Sequence, residues 1–468
     1  MVEDIANCGW SSAELEVVAG GRWVVRPDDG WRMTGVCADV TQFTEGQMLL
    51  ARAGKYGLGP SVIGKLHSRS TGIITEAAEA YTGYGVPILE IADTFKAVTA
   101  LAVAAREQFP GCMIGVTGSV GKTSTVAMAA HALSGLGKAD RSRTSANSPY
   151  GIAWNLASMD RAADFWVQEM AITKMEVCSQ LVRPDVAIVT AIAPAHTSRF
   201  GSTDDIARLK ARIYEGMVAG AIAVINGDMN EAGIFEALAR DAGLRIVRFG
   251  EGEGNDARLL GLERSTVHAE IFGTICSFAL GAPGRHMAMN ALAVLAAIAA
   301  MGRPVEPAAA RLESFEALPG RGRRSQLLYE GKSIEIWDEA FNANPASMRA
   351  ALKVMRDAKD VLAETRVLVL GDMLELGPGA QQMHLELEAD IRAIAPDRVL
   401  FCGPLMQPLA KRVLPDFKGC AFPDVQALIQ DIPYWLKDDD VVLVKSSHGT
   451  GLGKLVAHLT ANARTGAV

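Results

Sequence analysis

The chain has 468 residues, of which 49% are hydrophobic and 21% are charged, and its formal net charge is −7 at pH 7. A chain of this length is too long to fold around one ordinary hydrophobic core. It predicts about three domains, since a domain usually contains ~100–200 residues. The composition is that of a globular enzyme. The negative net charge excludes a protein that binds the nucleic acid backbone through clustered Lys and Arg, so we expect no nucleic acid partner.

The cysteines and the distribution of apolar residues predict the cellular compartment. The seven cysteines are scattered, without a CxxC pair, which predicts reduced thiols rather than a disulfide framework or a zinc site. No apolar signal segment begins the sequence. The most apolar stretch, residues 287–302, is shorter than the ~20 residues that a membrane span needs, so we interpret it as a buried helix. We therefore expect a cytoplasmic monomer without a membrane partner.

The order of apolar runs predicts an α/β fold in three parts. Residues 1–108 contain short strand-like runs and end in a helical segment. From residue 109, apolar runs alternate with helical segments, which predicts a mostly parallel sheet with crossover helices. A break at "ALPGRGRR" precedes a second set of strand-like runs, which again indicates an open α/β sheet. The predicted domains are residues 1–108, 109–316 and 317–468.

A glycine-rich loop, "IGVTGSVGKTST", lies between an apolar strand and a helix in the second part. Glycines and a helix N-terminus together form a backbone nest for an anion such as phosphate. Val116 stands where the strict P-loop pattern has its first glycine, which leaves TGxxGKTS. The alternative is a tight glycine turn followed by an exposed lysine. The predicted nucleotide-binding residues are Thr117, Gly118, Ser119, Gly121, Lys122, Thr123 and Ser124.

Three further residues have side chains suited to phosphate or metal chemistry. Glu169 ends an apolar run and offers the oxygen ligand that Mg²⁺ prefers, although a solvated strand-end acid is the alternative. His196 follows another run, at the sheet edge where open α/β folds bind ligands, but an isolated histidine there is more often a surface residue. Lys210 by itself is typical of the solvated face of an amphipathic helix.

Together with the glycine-rich loop, these segments resemble the Mur ligase family, and most closely its MurF branch, over nearly the whole chain. The resemblance rests on segments that occur in the family's order, namely "TGSVGKTST", "VQEMA", "APAHTSRFGSTDDIARLK", "INGDMN", "PGRHMAMNALA", "LPGRGRR", "DEAFNANPASMRAAL", "VLGDMLELG" and "VLVKSS". It implies a small N-terminal acceptor-substrate domain, a central P-loop ATPase domain and a C-terminal Rossmann-like domain that binds the amine substrate. It also implies an ATP-dependent ligase that activates a carboxylate as an acyl phosphate and couples it to an amine.

The resemblance assigns roles to individual residues. It implies ATP and two Mg²⁺ ions, with Thr123 and Glu169 on one ion and His196 with a carbamylated Lys210 on the other. Lys122, Glu169, His196 and Lys210 form the implied catalytic set. It further implies nucleotide contacts from Asn290, Arg321, Asp338, Asn342 and Asn344.

The sequence departs from the family where the substrates bind. Asp39 is retained in the uridine-nucleotide segment, but Thr41 stands where the family has an arginine. Lys445 is retained near the C-terminus, but His448 replaces an arginine, and neutral histidine is no bidentate partner for a carboxylate. Together with Asn147, these are the predicted substrate-binding residues. We therefore expect a MurF-like ligase with altered substrates, for example one in specialised metabolite biosynthesis.

Other functions remain open at this point. The chain could be a genuine MurF of peptidoglycan synthesis, or a P-loop kinase or NTPase that forms no amide. A catalytically silent scaffold that only binds nucleotide is the third possibility.

Overall fold

The computed structural model describes residues 9–52, 57–143, 146–193, 201–282, 284–358 and 365–464. Within these residues the strands form sheets of two, five, nine and seven strands, and helices cover the faces of the larger sheets. The fold is therefore α/β, as the sequence predicts.

The N-terminal part forms a five-stranded sheet in the order β2-β7-β6-β5-β4, and β1 pairs with β3 separately. Asp93 caps the long helix of this part, since its side chain accepts a hydrogen bond from the Lys96 N–H at 2.9 Å. The strands are β1 (Trp10–Ser11), β2 (Arg22–Val25), β3 (Arg32–Met33), β4 (Gly35–Cys37), β5 (Gln47–Ala51), β6 (Gly72–Thr75) and β7 (Ile88–Glu90). The α-helices are Ser12–Ala19, Pro60–Leu66 and Thr94–Gln108.

The second part forms a nine-stranded sheet in the order β16-β15-β14-β13-β12-β11-β8-β10-β9. Strands β8 to β14 are parallel to one another, whereas β15 and β16 continue from β14 as an antiparallel meander that the sequence did not predict. The strands are β8 (Cys112–Thr117), β9 (Ala139–Arg141), β10 (Phe165–Glu169), β11 (Val186–Val189), β12 (Ile222–Asn226), β13 (Arg245–Gly250), β14 (Ala257–Glu263), β15 (Thr266–Ile271) and β16 (Thr274–Ala279). The α-helices are Lys122–Leu133, Pro149–Ser158, Met175–Val182, Thr203–Ala211, Ala232–Asp241, Arg285–Ala300 and Val305–Arg311.

The C-terminal part forms a seven-stranded sheet in the order β21-β20-β19-β22-β18-β17-β23. Its first two strands form a hairpin whose turn residues, Glu330 and Gly331, both have positive φ, which matches the twist of a hairpin. The strands are β17 (Arg323–Tyr329), β18 (Lys332–Glu339), β19 (Thr365–Gly371), β20 (Arg398–Cys402), β21 (Gly419–Phe422), β22 (Asp440–Lys445) and β23 (Ala463–Arg464). The α-helices are Pro345–Asp357, Ala380–Leu385, Glu388–Ile394, Gln407–Val413, Val425–Trp435 and Leu452–Ala461.

The N-terminal and central parts share one hydrophobic core. Buried side chains from Trp10 to Leu244 form a continuous cluster, and the helix Thr94–Gln108 packs against the helix Pro149–Ser158. The indole of Trp154 donates a hydrogen bond to the Val36 carbonyl on β4, across this contact. This hydrogen bond holds β4 against the helix Pro149–Ser158. The boundaries at 108/109 and 316/317 stay predictions.

The apolar stretch at 287–302 forms the helix Arg285–Ala300, and most of its side chains are buried, as the sequence predicts. In the described ranges, no helix combines the length and the apolar character that crossing a membrane requires.

A buried ion pair holds the amino ends of the C-terminal strands together, and its removal is expected to destabilise the protein. Asp440 on β22 contacts Arg398 on β20, and both side chains are almost fully buried. Asp440→Asn leaves the guanidinium without its counter-charge and should lower the free energy of unfolding by about 3–5 kcal/mol. Chemical denaturation measures this loss. Arg240, whose exposed side chain pairs with Glu236, is the control, since Arg240→Ala should change stability by about 0.5 kcal/mol or less.

Candidate active site

The glycine-rich loop lies where the strand order of the central sheet reverses. β8 has β11 on one side and β10 on the other, and the chain from β8 continues to β9 and β10. Ligands of open α/β sheets bind outside the carboxyl ends of strands at such a reversal. The loop is fixed to β11 because the Ser119 N–H donates to the Ala191 carbonyl at 2.7 Å and the Thr190 hydroxyl donates to the Val120 carbonyl at 2.6 Å.

Two glycines of this loop have no room for a side chain. Gly118 has φ +149°, and a Cβ there would lie 2.0 Å from the Thr190 hydroxyl. Gly121 has φ +84°, and a Cβ there would lie 2.9 Å from Oδ1 of Asn290. The left-handed conformation of Gly121 lets the chain turn directly into the helix Lys122–Leu133, with the free N–H groups of the helix end at the loop.

Lys122 closes the loop over its own backbone. Its ammonium donates to the carbonyls of Gly118 at 2.9 Å and Ser119 at 3.3 Å. Burial lowers the pKa of Lys122, while nearby Glu169 opposes this shift and Arg321 adds to it. Lys122 is only partly accessible to solvent and lies against the backbone of the glycine-rich loop. It is therefore not the exposed lysine after a tight turn that the sequence offered as the alternative.

Glu169 forms the acidic side of the site. It ends β10 beside β8, and only 3% of the residue is exposed. One carboxylate oxygen accepts a hydrogen bond from the Thr123 hydroxyl, and the other accepts one from the Asn147 amide at 2.8 Å. The structure thus brings Thr123 and Glu169 together, and their shared role toward an ion stays a prediction. Asn147, which was predicted to bind substrate, contacts this carboxylate.

Lys210 lies inside the site rather than on a solvated helix face. The residue is 4% exposed, and its ammonium donates to the Gly118 carbonyl at 2.8 Å. The two lysines, Lys122 and Lys210, therefore share one carbonyl oxygen. Burial and the adjacent Lys122 lower the pKa of Lys210 well below its ordinary value, against the opposing effect of Glu169.

The donor set fits magnesium held largely by a nucleotide. Mg²⁺ in phosphate-transfer sites usually takes one or two carboxylates or hydroxyls, with substrate phosphates supplying other ligands. Thr123 and Glu169 supply such oxygens next to the nest. Over the ranges that the structure describes, no group of three His, Cys, Asp or Glu side chains could hold an ion without that help. His196, the predicted ligand of a second ion, lies outside the described residues.

Asn290 reaches the loop from the helix Arg285–Ala300. Its residue is 9% exposed, and its Oδ1 is the nearest atom to the position of a Cβ on Gly121. Its amide nitrogen faces Sδ of Met287 at 3.8 Å within the same helix. The side chain of Asn290 therefore faces the glycine-rich loop, and its amide contact lies within its own helix rather than between two helices.

Arg321 brings a cation from the start of the C-terminal part to the loop. Its guanidinium carbon lies 3.8 Å from the ring centroid of Phe341. The imidazole of His448 also packs near Phe341, with 5.7 Å between the two ring centroids. Burial lowers the pKa of Arg321, whereas Glu169 and Glu339 counteract this effect. Phe341 thereby joins Arg321, a predicted nucleotide contact, to His448, a predicted substrate-binding residue.

The segment "DEAFNANP" shapes the backbone around Arg321. Both oxygens of Asp338 accept backbone hydrogen bonds, from Gly320 at 2.6 Å and Ala340 at 3.1 Å. Asn344 caps the helix Pro345–Asp357 by accepting from the Ser347 N–H at 2.9 Å. Asn342 is exposed and is the member of this predicted set whose side chain is most accessible. The nucleotide contacts of all three residues stay predictions.

The remaining predicted substrate residues lie in two separate places. Lys445 is buried, and its ammonium donates to Glu339 at 3.3 Å and to the Asn342 carbonyl at 3.2 Å. Asp39 and Thr41 lie at the end of β4, where the Asp39 carboxylate accepts from the Thr41 N–H at 3.0 Å and hydroxyl at 2.8 Å. Their roles toward a substrate stay predictions.

Several residues of the site were not singled out from the sequence. Thr190, Ser142 and Glu339 support the loop, the Glu169 backbone and Lys445, respectively. Each lies at or next to the end of a strand, which was the available signal. Phe341 carried no such signal, since an aromatic residue in a turn sequence indicates packing more often than a site.

Comparisons with known proteins agree with this geometry. A family model described as "Mur ligase middle domain" matches residues 116–298, and one described as "Mur ligase, glutamate ligase domain" matches residues 323–448. The UDP-N-acetylmuramoyl-tripeptide–D-alanyl-D-alanine ligase of Mycobacterium tuberculosis (strain CDC 1551 / Oshkosh) is 30% identical over 79% of this chain and 77% of its own length. The ligase of the same name from Bacillus subtilis is 29% identical over 80% and 81%.

A solved structure of MurF from Acinetobacter baumannii has a TM-score of 0.78 and 25% identity, and covers 97% of this chain and 99% of its own. The chain belongs to the Mur ligase family, whose members are ATP-dependent ligases that join an acid to an amine. Within that family it is MurF-like.

Replacing the left-handed glycine of the loop is expected to strain the site. Gly121→Ala introduces a Cβ at positive φ and against Asn290, and should lower the free energy of unfolding by about 1–2 kcal/mol. Gly233→Ala is the matched control, because it lies in the helix Ala232–Asp241 with open space around its Cβ position. The control should be neutral or stabilising by up to about 1 kcal/mol. Equal stability of both variants in denaturant titrations would contradict this account.

Proposed function

We propose that this enzyme activates a carboxylate substrate with ATP and couples it to the amine of an amino acid or dipeptide. A carboxylate oxygen attacks the γ-phosphorus, so that an O–P bond forms and ADP leaves. The amine nitrogen then attacks the acyl carbon, the C–N bond forms, and phosphate leaves as the amine loses its proton. The products are an amide, ADP and phosphate.

The observation that carries this proposal is the contact of Thr123 with Glu169 beside Lys122 and the glycine nest. Phosphoryl transfer depends mainly on positioning and on neutralising charge, and these residues provide both around a triphosphate. Lys122 would exchange its two backbone carbonyls for phosphate oxygens. Arg321 would supply a further positive charge from the C-terminal part and, with closure of that part, exclude water from a hydrolysable acyl phosphate.

The residues fit a magnesium-dependent reaction. We propose that Thr123 and Glu169 hold one ion, and that His196 and a carbamylated Lys210 hold a second. Mg²⁺ in such sites neutralises phosphate charge and orients the reacting oxygens. The burial of Lys210 supports the modification, because only an uncharged amine reacts with carbon dioxide.

The proposed modification makes Lys210 replaceable by an added carboxylate. Lys210→Ala should lower kcat at least about 100-fold, as loss of a charge-stabilising group typically does. Acetate or formate should then restore part of the activity by filling the vacated volume with an anion. Lys210→Arg, which fills that volume with a cation, should show no such rescue. Activity of Lys210→Ala within a few-fold of the wild type would contradict the role.

The substrates are proposed to differ from those of the peptidoglycan ligase. Thr41 replaces a family arginine, and its hydroxyl already donates to Asp39, so it offers no charge to a diphosphate. Each lost charge-assisted hydrogen bond costs about 1.5–3 kcal/mol. At the amine end, His448 is exposed beside Phe341 and replaces another arginine. A small-molecule carboxylate without a uridine diphosphate therefore agrees better with these residues.

Trapping with hydroxylamine tests the proposed reaction. The enzyme, ATP and Mg²⁺ are incubated with hydroxylamine and a panel of carboxylic acids that includes UDP-N-acetylmuramoyl-tripeptide. We expect one acid to give equal amounts of hydroxamate and ADP, measured by mass spectrometry and a coupled assay. Lys122→Ala should reduce both at least about 100-fold.

The other outcomes identify the alternatives. Phosphate release that requires both UDP-N-acetylmuramoyl-tripeptide and D-alanyl-D-alanine would identify a genuine MurF of peptidoglycan synthesis. This is the second candidate, because the M. tuberculosis and B. subtilis relatives are named as ligases of these two substrates. Transfer of phosphate to an acceptor without any hydroxamate would identify a kinase. Unchanged ATP turnover in Lys122→Ala would rule out catalysis at this loop.

A further inference from the structure

The segment that carries Asn147 is anchored to the helix that follows it. Asn155, buried in the helix Pro149–Ser158, accepts a hydrogen bond from the Arg143 N–H at 2.8 Å. Its amide donates to the carbonyls of Ala146 at 3.1 Å and Gly151 at 3.0 Å. Residues on both sides of Asn147 are thus tied to one side chain. This anchoring fixes where Asn147 points.

Asn147 points at the carboxylate of Glu169. Its amide donates to Oε1 at 2.8 Å, while Thr123 occupies Oε2. A carboxylate only accepts hydrogen bonds, so the NH₂ group of Asn147 must face it. That nitrogen cannot bind a cation. The carboxylate is also fixed through its backbone, because the Glu169 N–H donates to the Ser142 hydroxyl at 3.0 Å.

We propose that Asn147 is a positioning residue that orients Glu169 for a divalent cation at the phosphate loop, rather than a substrate contact. Thr123 faces Oε2 and Asn147 faces Oε1, so a cation held by Thr123 and Glu169 would not require the Asn147 contact to break. The contact then holds the carboxylate plane against rotation. Partners of this kind, one bond beyond the metal ligands, typically change metal affinity by about 10–100-fold. The inference rests on the proposed function, since it assumes a cation at Glu169.

The test measures Mn²⁺ binding to the enzyme–ADP complex by electron paramagnetic resonance, so that neither substrate is needed. Asn147→Ala should weaken Mn²⁺ binding about tenfold or more. Ser148→Ala is the matched control, because Ser148 caps the same helix without contacting Glu169. Its cap contributes about 1 kcal/mol, so this control loses stability but should keep the wild-type Mn²⁺ affinity.

A double-variant cycle then shows whether Asn147 acts through Glu169. In a Glu169→Gln background, Asn147→Ala should weaken Mn²⁺ binding by less than about twofold, because coupled residues are not additive. An unchanged affinity in the single variant, or an equal loss in both backgrounds, would overturn the inference alone. If the wild-type complex binds no Mn²⁺ at this site, the proposed magnesium site fails together with it.

Discussion

The hydroxyl of Thr123 and the carboxylate of Glu169 meet because two neighbouring strands of one parallel sheet end at the same edge. β8 leads into the phosphate loop, and β10 ends at Glu169, in register with Val116 of β8. The rest of the site is arranged around this contact. Lys122 follows from the helix start, Lys210 arrives from a helix beyond β11, and Arg321 comes from the C-terminal part.

The charges around this contact explain how an acidic protein can bind a polyphosphate. The net charge of the chain is −7, but three cations, Lys122, Lys210 and Arg321, lie around the carboxylate of Glu169. Burial lowers the pKa of both lysines, and Glu169 opposes this effect. A bound triphosphate would oppose it further, because it places negative charge next to both ammonium groups. The site is therefore electrostatically complementary to a nucleotide in a way that the overall charge does not indicate.

The polar groups around the proposed amine site are paired differently from those at the proposed nucleotide site. At the centre, Lys122 and Glu169 contact groups that a ligand can replace. Around the proposed amine site, Lys445 is paired with Glu339 on adjacent strands, and each oxygen of Asp338 accepts one backbone hydrogen bond. Those residues shape the backbone on which Arg321, Phe341 and His448 are presented.

The sequence by itself determined the α/β class and the strands that surround the glycine-rich loop, and it predicted Lys122, Thr123 and Glu169 as the chemical groups there. These follow from local patterns, because a buried strand is a short apolar run and a phosphate nest is a continuous segment. Tertiary structure decided the rest. The burial of Lys210, the contact of Asn147 with Glu169, the pairing of Lys445 with Glu339 and the packing of Arg321 on Phe341 each join side chains from separate segments. No local pattern encodes such contacts, since they depend on which strand ends the folded sheets bring together.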